Sequence, residues 1–228
     1  MPTDPLADRP DLYAAVHKGL RLFMADTLVR LGRLDAADAE ELRRTLDQLA
    51  QLLQLYAEHT RLENDHLHTA LEARRPGISA RIGSEHLEHA EALGELQAEA
   101  AALPSPPPPA ALMRLYRRYS RFVAMGLEHM AAEESRHNAA LWELLGDDEL
   151  LTLQQRLQAA LSPQRLALLL RWMLPALNPA ERERVLARLD PPTRTRLLDT
   201  LRPRLDEPAW ARLHRALGLP PVPGLVEV

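Results

Sequence analysis

The sequence predicts an all-α fold, and three observations carry that reading. Leucine and alanine dominate a chain that is 46% apolar but only 4% aromatic, a balance that favours helix over strand. Apolar residues recur at three- and four-residue spacing along four long segments, the period of helices with one buried face. There is also no alternating apolar run and no Asn-Gly or Asp-Gly dipeptide to turn a hairpin.

The first helix is expected from Pro10, suited to an opening turn, to about Gly32. Tyr13, His17, Leu20, Met24, Leu28 and Leu31 line one of its faces. A second runs from about Ala39 to Arg74, with Leu42, Leu49, Leu52, Tyr56, His59 and Glu63 in line, until "RRPGISARIG" breaks it. The third starts near Ser84 and ends before "LPSPPPPA", residues 103–110, a stiff extended connector. The fourth, about Ala111 to Leu145, aligns Leu115, Phe122, Met125, His129, Glu133 and His137.

Beyond "GDDEL" the texture changes. Ser162-Pro163, Asn178-Pro179 and Asp190-Pro191 each join a capping side chain to a proline in the first helical position. "DEPAW" at 206–210 does nearly the same. Several short helices are therefore expected, with Trp172 and Trp210, like Trp142 before them, as apolar anchors. The organisation predicted is a four-helix unit over residues 8–146 and a helical extension over 147–228. Short helices are marginal alone, so the extension should pack on the bundle or form a homodimer contact.

Composition excludes several functions. Nine histidines accompany no cysteine at all, which removes disulfides, thiolate zinc, iron–sulfur clusters and a cysteine nucleophile. The net charge is −4, with twelve arginines against seven acids after residue 149 and −9 on the residues before it. That distribution gives no electrostatic footprint for nucleic acid. No apolar run reaches membrane-spanning length and no signal pattern opens the chain, so a cytoplasmic protein without a membrane partner is expected. Gly-rich phosphate loops and Gly-x-Ser-x-Gly are absent.

The chemistry concentrates in "HTRLENDHLH", residues 59–68, which holds three histidines. His59 and Glu63 stand four apart, about 40° around a helix, so both can reach one point. Their face is the apolar one, where a charge without a partner is costly. His129 and Glu133 repeat the spacing on the fourth helix, His17 lies on the core stripe of the first, and His86 and His89 lie on the third. Imidazole and carboxylate suit iron, zinc or manganese, and facing helices that aim such ligands inward are a known way to build dinuclear sites.

This order of residues resembles the hemerythrin-like family, the HHE cation-binding domain. The resemblance rests on "VHKGLRLF", "EHTRLEND", "SEHLEHAEAL" and "EHMAAEES", within about residues 10–145. It implies an up-down four-helix bundle around two non-haem iron ions. The ligand set it implies is His17, His59, Glu63, His86, His129 and Glu133, with His89 added on the third helix and Glu134 beside the last acid. Family roles include oxygen carriage, sensing, nitric-oxide or peroxide handling and iron homeostasis, so the implied small partner is a diatomic ligand or peroxide. Two departures stand out. Oxygen-carrying members space two third-helix histidines by four, where His86 and His89 are three apart, and "HLHTALE" stands where many members have an apolar-Phe-Pro turn.

Some choices stay open at this level. Helix rotation favours His66 over His68 as a further ligand, whereas the resemblance favours His68. His137 lies one turn past Glu133, Glu134 reads as a flanking acid, and His214 reads as a surface residue. Tyr13 and Tyr56, a turn or less from the ligands, either pack or donate a hydrogen bond into the site. Binding protein, sensor and oxidoreductase all need the same ligands, so the residues do not choose among them. A metal-free interaction module is the third alternative.

Overall fold

The computed structural model describes residues 9–187, 189, 191–205 and 207–217. Among them every regular element is helical. Their contacts form two compact units. The first comprises the residues up to Ala14 together with Phe23–Leu161, and the second runs from Ser162 onward and includes Ala15–Leu22.

Helix α1 spans Ala14–Arg33 and is shared by both units. It begins four residues later than proline placement suggests. The reason is Asp11, whose Oδ1 accepts from the backbone N–H groups of Tyr13 and Ala14 at 2.9 Å. Helix α2, Ala39–Leu62, is capped by Asp38, which accepts from the N–H groups of Glu40 and Glu41. Its Leu49, Leu52, Leu53 and Tyr56 are buried.

The expected single helix to Arg74 is broken into three pieces. After α2 comes a π-helical segment, Glu63–His68, and then a last α turn, α3, Thr69–Glu72. The Glu72 carboxylate closes the turn that follows by accepting from the N–H groups of Gly77 and Ser79. Gly77 there has φ +86°, a conformation that favours glycine. Helix α4, Ala80–Ala101, starts four residues earlier than expected, and Ile82 in its first turn is buried.

Pro109 opens helix α5, Pro109–Ala132, after the proline connector. The expected fourth helix is also interrupted by a π segment, Glu133–His137, before α6, Asn138–Leu144. Helix α7, Asp147–Ala159, carries three acids in its first turn, where the helix dipole favours them. Arg9 ties this junction, bonding the carbonyls of Trp142 and Leu145 and the Asp147 carboxylate. Leu150 and Leu153 of α7 join Leu12, Tyr13, Leu67, Leu71 and Leu141 in one buried cluster.

The second unit contains α8, Pro163–Ala176, α9, Pro179–Ala187, α10, Pro191–Leu201, and α11, Glu207–Ala216. Ser162 and Asn178 cap as expected, accepting from the N–H groups of Arg165 and Glu181. Asp190 and Asp206 lie outside the described residues. The core is Leu170, Met173, Leu174, Leu186, Leu197, Leu201, Trp210 and Leu213, with Ala15 against it. Buried Arg182 donates to the carbonyls of Leu174 and Leu177, adding a side-chain donor to the end of α8. Gly19 approaches Met173 so closely that a Cβ there would stand 2.7 Å from its Cα.

Candidate metal centre

The two π segments decide which side chains meet. On an α-helix, residues five apart point about 140° away from each other. A π turn, with its i→i+5 bonding, brings the fifth residue back over the first. Thus His59, Glu63 and His68 reach one side despite their spacing of four and then five. His68 is 8% exposed, while His66, favoured by α-helical rotation, is only partly buried and joins no ligand group. In the second π segment Glu133 and His137 are both buried, and Glu134 is partly exposed.

Among the described residues three groups of ligand atoms result, each with its atoms within 4.8 Å of one another. The first is His17, His59, Glu63 and Glu133; the second is Glu63, His86, His129 and Glu133; the third is His68, Glu133 and His137. The first two share both carboxylates. Within the second, Glu133 approaches Nε2 of His129 at 3.3 Å and of His86 at 3.5 Å, and Glu63 approaches His86 at 3.6 Å. His59 Nε2 lies 3.1 Å from Glu63.

The outer nitrogens are held as firmly as the inner ones. His86 Nδ1 bonds Asn64 Oδ1 at 2.8 Å, and His129 Nδ1 bonds Glu85 at 3.0 Å. With both partners placed as acceptors, the proton is favoured on each Nδ1 and each Nε2 is turned inward. Yet these two Nε2 atoms face each other at 3.0 Å. A shared proton, or a metal ion bound by both, would relieve that approach. Arg81 in turn bonds Glu85 at 2.9 Å, the outer-carboxylate arrangement that orients metal-binding imidazoles.

Electrostatics separates the histidines. Burial pushes His68 and His89 down to about 4, helped by neighbouring imidazoles, and lowers His137 as well. These rings are neutral at pH 7 and keep a lone pair for a ligand. For His129 burial opposes the charged form, but its bonds to Glu133 and Glu85 outweigh that and raise its pKa. Tyr13 and Tyr56 are raised well above the ordinary tyrosine value by burial and by the Glu133 and Glu63 carboxylates.

The donor set fits a metal on two counts. Nitrogen and carboxylate oxygen without thiolate suit first-row cations, and the buried Nε2 atoms of His68 and His137 have no hydrogen-bond partner. Residues 10–141 match the hemerythrin HHE cation-binding domain family. The chain belongs to that family. Comparison with curated proteins and with solved structures finds no match. No described helix is long and apolar enough to cross a membrane.

Of the residues expected in this hemerythrin-like site, His17, His59, Glu63, His86, His129 and Glu133 come together in the first two groups. His89 does not enter any of the three; buried at 3% exposure, it bonds the Tyr56 hydroxyl through Nδ1 at 3.1 Å. Tyr13 likewise bonds His137 Nδ1 at 3.1 Å. Both tyrosines therefore orient histidines. Asn64 and Glu85 escaped the sequence reading. Their one signal is adjacency, since each directly follows or precedes a ligand candidate, Glu63 and His86, and reaches across to a histidine of another helix.

Proposed function

We propose that this chain is a non-haem iron protein that holds two ions between Glu63 and Glu133 and senses or handles a small oxidant. The supporting observation is the sharing of both carboxylates by two four-atom ligand groups. His17 and His59 would hold one ion and His86 and His129 the other, with Glu63 and Glu133 within reach of both groups. Membership of a cation-binding family supports the metal, and an imidazole–carboxylate shell without thiolate is compatible with iron among the first-row cations.

When bound, the iron pair supplies redox chemistry and open coordination positions. The chain supplies orientation and exclusion. Asn64 and Glu85 fix the tautomers of His86 and His129, so Nε2 of each faces inward. His17, Glu63, His86, His129 and Glu133 are all at most 4% exposed. Such a buried shell excludes large substrates, which fits a small oxidant as the partner.

The test is elemental analysis and Mössbauer spectroscopy of protein expressed with isotopically enriched iron. A spin-coupled iron pair in each chain is expected. Zinc at one equivalent, or no metal after iron-rich expression, would overturn the reading. Steady-state assays with peroxide and nitric oxide then measure whether the pair turns substrate over.

A further inference from the structure

Glu133 belongs to a third ligand group, whose other members, His68 and His137, are in neither of the two groups assigned to the iron pair. From its geometry we propose that these three side chains form a separate cation position, a two-histidine, one-carboxylate site for a divalent first-row metal. The inference rests on the metal-pair reading above and extends it. The alternative is that His68 and His137 add ligands to the ion held by His86 and His129.

Ring orientation decides between the two. An imidazole binds a cation through an sp² lone pair that lies in the ring plane. Two rings can therefore share one ion only where their planes cross at it. His68 is stacked on His86, with centroids 5.1 Å apart and planes only 6° from parallel. Planes stacked in that way do not meet near either ring, so His68 and His86 address different points. His68 and His137, by contrast, stand at 88° with centroids 4.8 Å apart. Their planes cross, and the Glu133 carboxylate lies with them within 4.8 Å. His86 and His129, at 63°, cross in the same way for the second ion of the pair.

The nitrogens are also prepared for the task. Tyr13 engages His137 at Nδ1, which leaves Nε2 as the free binding atom. Nε2 of His137 and Nε2 of His68 are both buried and have no hydrogen-bond partner. Two such nitrogens in one buried pocket represent a desolvation cost that a ligand would relieve. Ligand atoms within 4.8 Å of one another need only a small contraction to reach bond lengths of roughly 2.0–2.2 Å around one ion. Two histidines and one carboxylate on one side of a cation are the donor set of non-haem ferrous sites. Sharing Glu133 with the pair should make this position the weakest of the three.

The test is anoxic titration of metal-free, full-length protein with ferrous iron, read by elemental analysis and Mössbauer spectroscopy. Wild type should saturate at about three irons per chain, the third uncoupled from the pair and the first to leave on dialysis. His68→Gln and His137→Gln should each saturate at about two and keep the coupled pair, while His66→Gln should keep all three. Wild type saturating at two with an intact pair overturns this inference alone. So does loss of a pair iron from His68→Gln, which would make that ring a ligand of the pair, or retention of three irons in both variants. Failure of wild type to bind any iron overturns the pair as well. Circular dichroism confirms that the variants fold; if they do not, the wild-type count and the coupled or uncoupled character of its last iron decide the matter.

Discussion

Glu133→Gln is the most informative single change, because Glu133 is the one residue common to all three ligand groups. The substitution keeps the shape and removes the charge and one coordinating oxygen. Removing an outer-shell partner typically weakens metal binding about 10–100-fold, and Glu133 is no outer partner. It lies 3.3 Å from His129 Nε2 and 3.5 Å from His86 Nε2. A loss of at least about 100-fold is therefore expected, or roughly 2.8 kcal/mol at 1.4 kcal/mol per tenfold. The assay is the metal-dependent rise in melting temperature. Metal at 100 times its Kd stabilises a protein by about 2.7 kcal/mol. For a domain of this size that is a rise of about 5–11 °C. Wild type should show it and Glu133→Gln should show almost none at the same metal concentration, with helical content unchanged. Glu134→Gln, one position along and partly exposed, should behave like wild type. A full thermal shift in Glu133→Gln, or its loss in Glu134→Gln, would refute the assignment of the ligand face.

Two further outcomes are expected. Asn64→Ala and Glu85→Ala should each lower metal affinity about 10–100-fold by freeing the tautomers of His86 and His129; isothermal titration giving wild-type affinity in both would remove their orienting role. Gly19→Ala should lower stability despite a gain of about 1 kcal/mol in helix propensity, because its Cβ would stand 2.7 Å from the Met173 backbone and overpacking costs about 1–3 kcal/mol. Denaturant unfolding that shows Gly19→Ala more stable than wild type would contradict that packing.

The helices and most of the site were legible because they depend on local period. His59 with Glu63 and His129 with Glu133 are α-helical neighbours, and four-residue spacing places them together whatever else the chain does. His68 was not legible from rotation. Its position follows from a π turn between it and Glu63, and α-helical phase pointed to His66 instead. The break after Ala132 was equally hidden, since "EHMAAEESRH" continues a good helical pattern through it. His89 satisfies the apolar stripe and is buried, but Tyr56, from another helix, takes its Nδ1, and no local pattern announces such a pairing. Helix starts moved by four residues where a side-chain cap, Asp11, outweighed proline placement.

The π segments also bear on which changes in length this chain can absorb. Each accommodates one residue more than an α turn would hold, so the helix after it keeps its phase relative to the core. Leu71 remains buried on one side of the first break as Leu52 and Tyr56 do on the other. A one-residue deletion elsewhere in α2 would rotate everything downstream by about 100° and turn Leu71 towards water. Removing one of the exposed residues Asn64 or Asp65 would instead convert the π turn to a plain α turn and leave the following turns in register. The metal face is thus built where a helix can gain or lose a residue without repacking its core.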